Sequence, residues 1–247
     1  MKILEVNSIC KAFGQEQVLK NVSIELNKGE LVSILGVSGA GKTTLFNIIS
    51  GLVMPDSGNI MLEDEDITGK SGRVSYMLQK DMLLPHKTVI DNVSLPLVVR
   101  GMKKKNARGE ASGYFDAFGI QGTQNKYPSQ LSGGMRQRAA LLRTYLFSDR
   151  VVLLDEPFSA LDMFTRRNLQ QWYLDIAERL CLSTLFVTHD VDEAIMLSDK
   201  IYIMTGKPGT ISGIIVIDRP RNNREGFEFT KEFLEYKKLI VQGLSDT

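Results

Sequence analysis

The residues best suited to chemistry form a glycine-rich stretch close to the N-terminus. They are Gly36, Val37, Ser38, Gly39, Ala40, Gly41, Lys42, Thr43 and Thr44. Their pattern, G-x-x-x-x-G-K-[ST], is typical of a phosphate-binding loop, because the glycines let backbone N–H groups close around phosphate oxygens at a helix N-terminus. A chance match occurs in about one chain in a hundred of this size. We predict that Lys42 reaches the β- and γ-phosphates of a nucleotide and that the Thr43 hydroxyl binds Mg²⁺.

Two acidic residues follow an apolar run later in the chain. Residues 151–154 predict a buried strand, and Asp155 and Glu156 come directly after it. The carboxyl ends of strands are where α/β proteins bind their ligands. Asp155 is suited to hold Mg²⁺, and Glu156 to polarise an attacking water. A strand that ends in acidic residues is common, so this signal depends on the phosphate loop upstream.

Ser132, Gly133 and Gly134 form a third candidate, because they precede a helical pattern. A helix that begins with Ser-Gly-Gly offers a hydroxyl and exposed amides to an anion. The alternative is a simple helix cap. On the first interpretation, one chain carries two phosphate-binding surfaces.

A parallel sheet is needed to bring these residues together. Short apolar runs at residues 31–35, 151–154 and 185–188 predict strands that are buried on both faces. The first run leads through the glycine-rich stretch into a helical pattern at residues 43–50, which is the order that a phosphate loop requires. Alternating residues at 3–26 predict antiparallel strands at an edge of the fold.

The middle of the chain and its tail have helical patterns. Apolar residues recur at helical intervals, in the middle at Ala107, Ala111, Tyr114, Phe115 and Phe118, and in the tail at Phe229, Phe233, Tyr236 and Ile240. We therefore predict three parts. They are an α/β core with the antiparallel strands (1–80 and 148–220), a helical part that contains Ser132 (81–147), and a C-terminal helical extension (221–247).

The ordered set of motifs resembles the ATP-binding subunit of ABC transporters over residues 3–220. The motifs that match are the phosphate loop, Gln79, residues 131–137, Asp155 with Glu156, residues 159–162 and His189. Any one of them could arise by accident, whereas the ordered set is specific. The resemblance implies an α/β fold with a P-loop NTPase (RecA-like) core, an N-terminal antiparallel β subdomain and an inserted α-helical subdomain. It also implies ATP and Mg²⁺ as cofactors.

The resemblance assigns roles to residues that would otherwise pass as surface or packing residues. It implies that His189 contacts the γ-phosphate and helps to hold both the water and Glu156 in the productive arrangement. Gln79 would reach Mg²⁺ and the water, and Phe13 would stack on adenine. Asp162 would belong to the nucleotide site.

A head-to-tail dimer is a further implication of the resemblance. In the ATP-bound state two copies would sandwich two nucleotides, so that Ser132, Gly133 and Gly134 of one copy complete the site of the other. A twofold assembly of identical subunits is also the commonest oligomer geometry.

Composition excludes several classes of protein. The 247 residues are 43% hydrophobic and 24% charged, which argues against a disordered chain. A net charge of +1 provides no basic field, so we expect no nucleic-acid partner. No apolar run approaches the roughly 18 residues of a membrane span, and the N-terminus lacks the hydrophobic region of a signal peptide. Cys10 and Cys181 have no metal-ligand spacing and predict free buried thiols in a reducing compartment.

Three classes of ABC protein compete: a transporter subunit, a soluble ATPase that works on DNA or ribosomes, and a regulator that barely hydrolyses ATP. The chain has a single set of ATP-binding motifs and no heptad repeat of the kind that forms a coiled coil, which favours the transporter over the soluble ATPase. The presence of Glu156 and His189 disfavours the regulator. The lack of a spanning segment then implies a separate membrane permease. An exporter subunit is the alternative within transporters.

Residues 79–93, 188–195 and 207–211 resemble bacterial importers of the nitrate, sulfonate, taurine and pyrimidine-precursor group. His86 departs from that group, which usually has tryptophan there. The resemblance implies a chain on the cytoplasmic face of the membrane that contacts the permease through residues 79–92. A partnership with an extracellular solute-binding protein would be indirect.

Overall fold

The structure is a computed structural model that describes residues 1–148 and 150–245, and their strands form two β-sheets. The strands are β1 (Lys2–Phe13), β2 (Glu16–Asn27), β3 (Leu31–Gly36), β4 (Ser57–Leu62), β5 (Glu65–Asp66), β6 (Ser75–Met77), β7 (Val151–Asp155), β8 (Ser183–Thr188), β9 (Lys200–Thr205) and β10 (Thr210–Val216). The three buried strands and the antiparallel hairpin that the sequence predicts are β3, β7, β8 and the pair β1–β2, so these predictions are confirmed.

Helices surround and connect the sheets. They are α1 (Lys42–Ile49), α2 (Val89–Val93), α3 (Leu95–Val99), α4 (Lys104–Ser112), α5 (Gly133–Phe147), α6 (Met163–Arg179), α7 (Val191–Leu197) and α8 (Lys231–Ser245). Short 3-10 turns occur at Pro128–Gln130, Arg221–Asn223 and Phe227–Phe229. Within the described part of the chain, no helix combines the length and the apolar character that crossing a bilayer requires.

The larger sheet has six strands in the order β10-β9-β3-β8-β7-β6. All of them run parallel except β10, which pairs antiparallel with β9. Every residue of β3, β7 and β8 is buried, as continuous apolar runs between two layers require. The carboxyl ends of β3, β6, β7 and β8 therefore meet at one edge, where the candidate residues follow them.

The smaller sheet is antiparallel, with the strand order β2-β1-β4-β5. It packs its apolar face on β3, α1 and β9, so that its residues and theirs form one buried cluster. The Tyr202 hydroxyl of β9 connects the two sheets, because it accepts from the Glu25 N–H of β2 at 3.0 Å and donates to the Glu25 carbonyl at 3.4 Å. The hairpin β1–β2 is thereby held beside the phosphate loop.

The helices α2 to α5 and the turns between them share a second core with α6 and β7. Ala107, Ala111, Phe115 and Phe118 are all buried in it. The helix α4 ends at Ser112, so Phe115 and Phe118 lie in the turns that follow it. The apolar spacing in the sequence thus extends beyond the helix. The inserted helical subdomain is present. The predicted boundaries of the three parts of the chain, near residues 80, 148 and 220, stay predictions.

The tail forms α8, with Phe233 and Ile240 buried against β9 and α7. Phe229 departs from the predicted pattern, because it lies in the short turn before the helix and is 82% exposed. Arg224 anchors the segment: its buried guanidinium donates to the carbonyls of Ile195 and Ser198 at the end of α7.

The prediction of buried thiols is wrong. Cys10 and Cys181 are free, as expected, but Cys10 is half-buried and Cys181 is exposed. Cys181 has a φ of 49° in the turn between α6 and β8, where the chain passes over the surface.

Candidate functional site

The glycine-rich loop joins β3 to α1 in the predicted strand–loop–helix order. Gly41 is the N-cap of α1 with a φ of 90°, and no side chain caps the helix. The first amides of α1 are therefore available to an external anion. Lys42 is 7% exposed, and its Nζ donates to the carbonyls of Gly36 at 2.8 Å and Val37 at 2.9 Å. Burial lowers the pKa of Lys42, although the charges of Glu156 and Asp155 oppose this effect.

Close packing fixes the shape of this loop. A Cβ atom at Gly41 would lie 2.7 Å from Leu19 Cδ2 of β2. A Cβ at Gly209 would overlap the carbonyl oxygen of Ala40. Gly209 is itself held by β2, since its N–H donates to Val18 O at 2.8 Å. The sequence did not mark Gly209 as part of the site, and the requirement for glycine arises from a contact with a distant segment.

Asp155 and Thr43, which the sequence predicts as ligands of Mg²⁺, lie side by side, and their binding of Mg²⁺ stays a prediction. Asp155 is 8% exposed, and its Oδ2 accepts from Thr43 Oγ1 and from the Tyr76 hydroxyl, both at 3.3 Å. Burial raises the pKa of Asp155, and these two hydrogen bonds oppose the rise. Burial and the Asp155 charge raise the pKa of Tyr76, so its hydroxyl is a donor. Mg²⁺ commonly binds to one or two carboxylates together with substrate phosphates, and a carboxylate beside a hydroxyl fits that preference.

Glu156 contacts His189, as the resemblance implies, and also Gln79, for which the resemblance implies contacts with Mg²⁺ and the water. Its Oε2 accepts from Gln79 Nε2 at 2.9 Å, and its Oε1 lies 3.2 Å from His189 Nδ1. Gln79 comes two residues after β6, and His189 directly after β8, so both reach Glu156 from neighbouring strands. Glu156 has a φ of 46°, which is uncommon for a residue with a side chain. The carboxylate is thus oriented by two partners at an accessible edge, where it can polarise a water.

His189 is positioned by the elements on either side of it. The hydroxyl of Thr188 accepts from the Asp190 N–H at 3.0 Å, and Asp190 Oδ1 caps α7 by accepting from the Asp192 and Glu193 amides. The imidazole itself is 59% exposed. A residue between a buried strand and a capped helix has a fixed backbone, while its side chain stays open to a ligand.

Ser132, Gly133 and Gly134 lie at the start of α5 and form a different surface. The Ser132 hydroxyl accepts from the Met135 N–H at 3.3 Å, so it caps its own helix. Gly133 faces the side chain of Leu161 and Gly134 that of Thr165. No hydrogen bond among the residues described here joins this helix start to residues 36–44. Within the described residues, the serine–glycine turn thus makes its hydrogen bonds apart from the phosphate loop.

Asp162 lies beside that second surface. It caps α6, because its Oδ1 accepts from the Thr165 N–H at 3.1 Å. Hydrogen bonds with Thr165, first that of its side chain and second that of its backbone N–H in size, lower the pKa of Asp162. Its predicted contact with nucleotide stays a prediction.

Phe13 ends β1 at the tip of the hairpin, with 52% of its surface exposed. Lys11 Nζ lies 5.4 Å from the ring centroid, which is within cation–π range. The same hairpin contacts Gly41 through Val18 and Leu19. The ring is accessible, and its stacking on adenine stays a prediction.

Comparison with known proteins connects this arrangement to a family. The family model described as ABC transporter matches residues 19–159, which is more than half of the chain. A formylaminopyrimidine import ATP-binding protein of Halalkalibacterium halodurans is 41% identical, and the match covers 92% of this chain and 88% of that protein. An aliphatic sulfonates import ATP-binding protein of Bacillus cereus is 38% identical, over 97% of this chain and 94% of the relative.

A solved structure is similar in fold and in sequence. It is a dimeric, post-hydrolysis state of an ATP-binding cassette bound to ADP and Pi. The TM-score is 0.74 with 28% identity, and the match covers 88% of this chain and 100% of the other.

We predict that Gly209→Ala weakens nucleotide binding by about tenfold, because overpacking against Ala40 costs about 1–3 kcal/mol and displaces the loop. The measurement is titration of each variant with a fluorescent ATP analogue. Gly213→Ala is the matched control, since a Cβ there meets Ile203 no closer than 3.6 Å. Equal affinities in the two variants would show that Gly209 does not support the loop.

Proposed function

This chain belongs to the ABC transporter family, and we propose that it is the ATP-hydrolysing subunit of a bacterial importer for a small solute. The observation that carries the proposal is the convergence of a phosphate loop, a buried carboxylate and a second, oriented carboxylate at one sheet edge. Gln79 and His189 complete this edge by binding the second carboxylate, Glu156. The chain is an ATPase.

The residues at this sheet edge have different roles in ATP hydrolysis. Lys42 and the uncapped amides of α1 hold the phosphates of ATP and stabilise the negative charge that develops during transfer. Thr43, Asp155 and Gln79 would hold Mg²⁺, which neutralises phosphate charge when it is bound. Glu156 polarises the attacking water, and its contacts with Gln79 and His189 keep its carboxylate oriented.

A second copy of the chain supplies the remaining contacts in the ATP-bound state. Ser132, Gly133 and Gly134 present a helix start, and Asp162 lies next to it, so that this surface can face the nucleotide on a partner's phosphate loop. The twofold relation makes both sites equivalent. The dimeric state of the similar ATP-binding cassette supports this arrangement. Phe13 would stack on the adenine of the nucleotide held by its own chain.

A cavity beside residues 79–92 is suited to receive the permease. Its volume is about 370 Å³, and apolar side chains, including Leu52, Met82 and Leu95, line much of it. Arg143 closes one side and donates to the carbonyls of Asp81 and Met82, at 2.5 and 2.8 Å. The cavity is thus attached to the segment that begins at Gln79.

We place the chain on the cytoplasmic face of the membrane, where it meets the permease directly and an extracellular solute-binding protein indirectly. The names of the two relatives, which are import proteins for sulfonates and for formylaminopyrimidine, support a solute of the nitrate, sulfonate, taurine or pyrimidine-precursor group. His86 is exposed within the proposed permease contact and would replace the group's usual tryptophan there.

Glu156→Gln is expected to lower the rate of ATP hydrolysis by at least about a hundredfold, since general-base catalysis contributes about 10²–10⁴. ATP binding should persist, and size-exclusion chromatography with ATP and Mg²⁺ should show a stable dimer. Glu235→Gln, on the exposed side of α8, is the control for loss of one carboxylate. Normal turnover in the Glu156 variant would contradict its role in activating water.

Ser132→Arg and Lys42→Ala together test the shared site. Each variant alone should hydrolyse ATP at least about a hundredfold more slowly, because Lys42→Ala removes charge stabilisation and Ser132→Arg places a bulky side chain over the helix start that would face the nucleotide. A mixture should regain activity, since a mixed dimer has one site with an intact loop and an intact serine–glycine turn. Absence of recovery, in a mixture shown to form mixed dimers, would mean that Ser132 acts within its own chain.

A tagged chain expressed in its native cell should co-purify with a membrane protein that has several spanning segments. Met82→Glu should abolish this association, because it places a charge in the apolar cavity. Ile214→Glu is the matched control: Met82 is 56% exposed, and Ile214 on β10 is 57% exposed. Co-purification that survives in the Met82 variant would exclude the cavity as the permease contact.

A further inference from the structure

Tyr76 touches the buried carboxylate of the site, although nothing in the sequence marks it. It is the middle residue of β6 and lies opposite Leu153 of β7, two residues before Asp155. Its hydroxyl donates to Asp155 Oδ2 at 3.3 Å. Its ring packs edge-on against Phe46 of α1, with centroids 5.7 Å apart and an interplanar angle of 86°. Tyr76 therefore contacts both the strand and the helix that build the phosphate site.

The same side chain lines the cavity that we assign to the permease. Tyr76 lies in its wall together with Val74, Met82, Leu95, Thr144 and Phe147. The strand is fixed at this point, because the Ser75 hydroxyl donates to Thr144 O at 2.7 Å and to Ser148 O at 2.8 Å. Tyr76 thus lines the cavity and contacts Asp155.

Asp155 Oδ2 has two hydroxyl donors, and they are not equivalent. The Thr43 hydroxyl contacts Asp155 and is also suited to bind Mg²⁺. When that hydroxyl turns to the metal, the donor that remains on Oδ2 in the described structure is Tyr76. A buried carboxylate that loses a donor is free to rotate, so Tyr76 is placed to keep it oriented.

We propose that Tyr76 is a positioning residue for Asp155 and transmits the filling of the cavity to the magnesium site. A group that enters the cavity presses on the Tyr76 ring and changes the contact between its hydroxyl and Asp155. The identity of the natural occupant, an apolar segment of the permease, rests on the proposed function. The connection between the cavity and the Asp155 carboxylate through Tyr76 does not depend on that proposed function.

The first experiment measures Mg²⁺ binding in the isolated full-length chain. Tyr76→Phe keeps the ring and removes the hydroxyl. Its affinity for a fluorescent ATP analogue in EDTA should stay within about twofold of the affinity of the unsubstituted chain. The Mg²⁺ concentration that gives half of the Mg²⁺-dependent fluorescence change should rise about fivefold. Fivefold corresponds to about 1 kcal/mol, which is the net contribution of one typical hydrogen bond.

Tyr173→Phe is the matched control. Tyr173 is buried, whereas Tyr76 is half-buried, and the Tyr173 hydroxyl lies 2.8 Å from Thr184 Oγ1. This variant should lower thermal stability without changing the Mg²⁺ requirement. An unchanged requirement in the Tyr76 variant, or an equal change in both variants, would overturn the positioning role.

The second experiment fills the cavity without a permease. Ser71 is exposed and lines the cavity, so Ser71→Trp places a ring in it. The Mg²⁺ requirement should shift by about threefold when Tyr76 is present and should not shift in the Tyr76→Phe background, because interacting residues give non-additive effects. Equal shifts in both backgrounds, or no shift in either, would overturn the transmission. Neither result depends on whether a membrane protein binds.

Discussion

A buried ammonium group sets the main constraint on this structure. Removal of a lysine charge from water is costly unless the charge finds partners. Lys42 finds two carbonyls in its own loop, and Asp155 and Glu156 lie near enough to favour its charged form. The amides at the start of α1 add a further positive potential in the same place. A bound polyphosphate is the ligand that satisfies all of these groups together, and the loop keeps its shape for that ligand because surrounding segments hold it.

The support comes from segments far away in the chain. Glycine is required at position 209 because the Ala40 carbonyl lies where a Cβ would stand, and at position 41 because β2 packs against it. Glu156 adopts a left-handed backbone conformation, which costs about 1–2 kcal/mol for a residue with a side chain. Its N–H still donates to Val187 O of β8 at 3.0 Å, so the neighbouring strand holds the strained residue in place.

The two carboxylates have different environments, and this difference separates their tasks. Asp155 is buried with two hydroxyl donors on one oxygen, which suits a carboxylate that binds a cation. Glu156 is more open, with an amide on one oxygen and an imidazole beside the other, which suits a group that handles water. Tyr76 extends the first environment to the cavity at the other side of β6. The site and the proposed permease contact are thus connected through one strand.

The sequence by itself predicted the strand–loop–helix order around the glycine-rich loop and the two acidic residues at the end of β7, because each is a short contiguous segment. The resemblance added Gln79 and His189, and the order of β6, β7 and β8 explains why they meet Glu156. The tertiary structure alone decided the roles of Gly209 and Tyr76, since a loop glycine and a strand tyrosine carry no local signal. It also decided the exposure of Cys181, which follows from a surface turn. Contacts between residues as distant as 76 and 155 depend on strand order, and strand order is a property of the folded sheet.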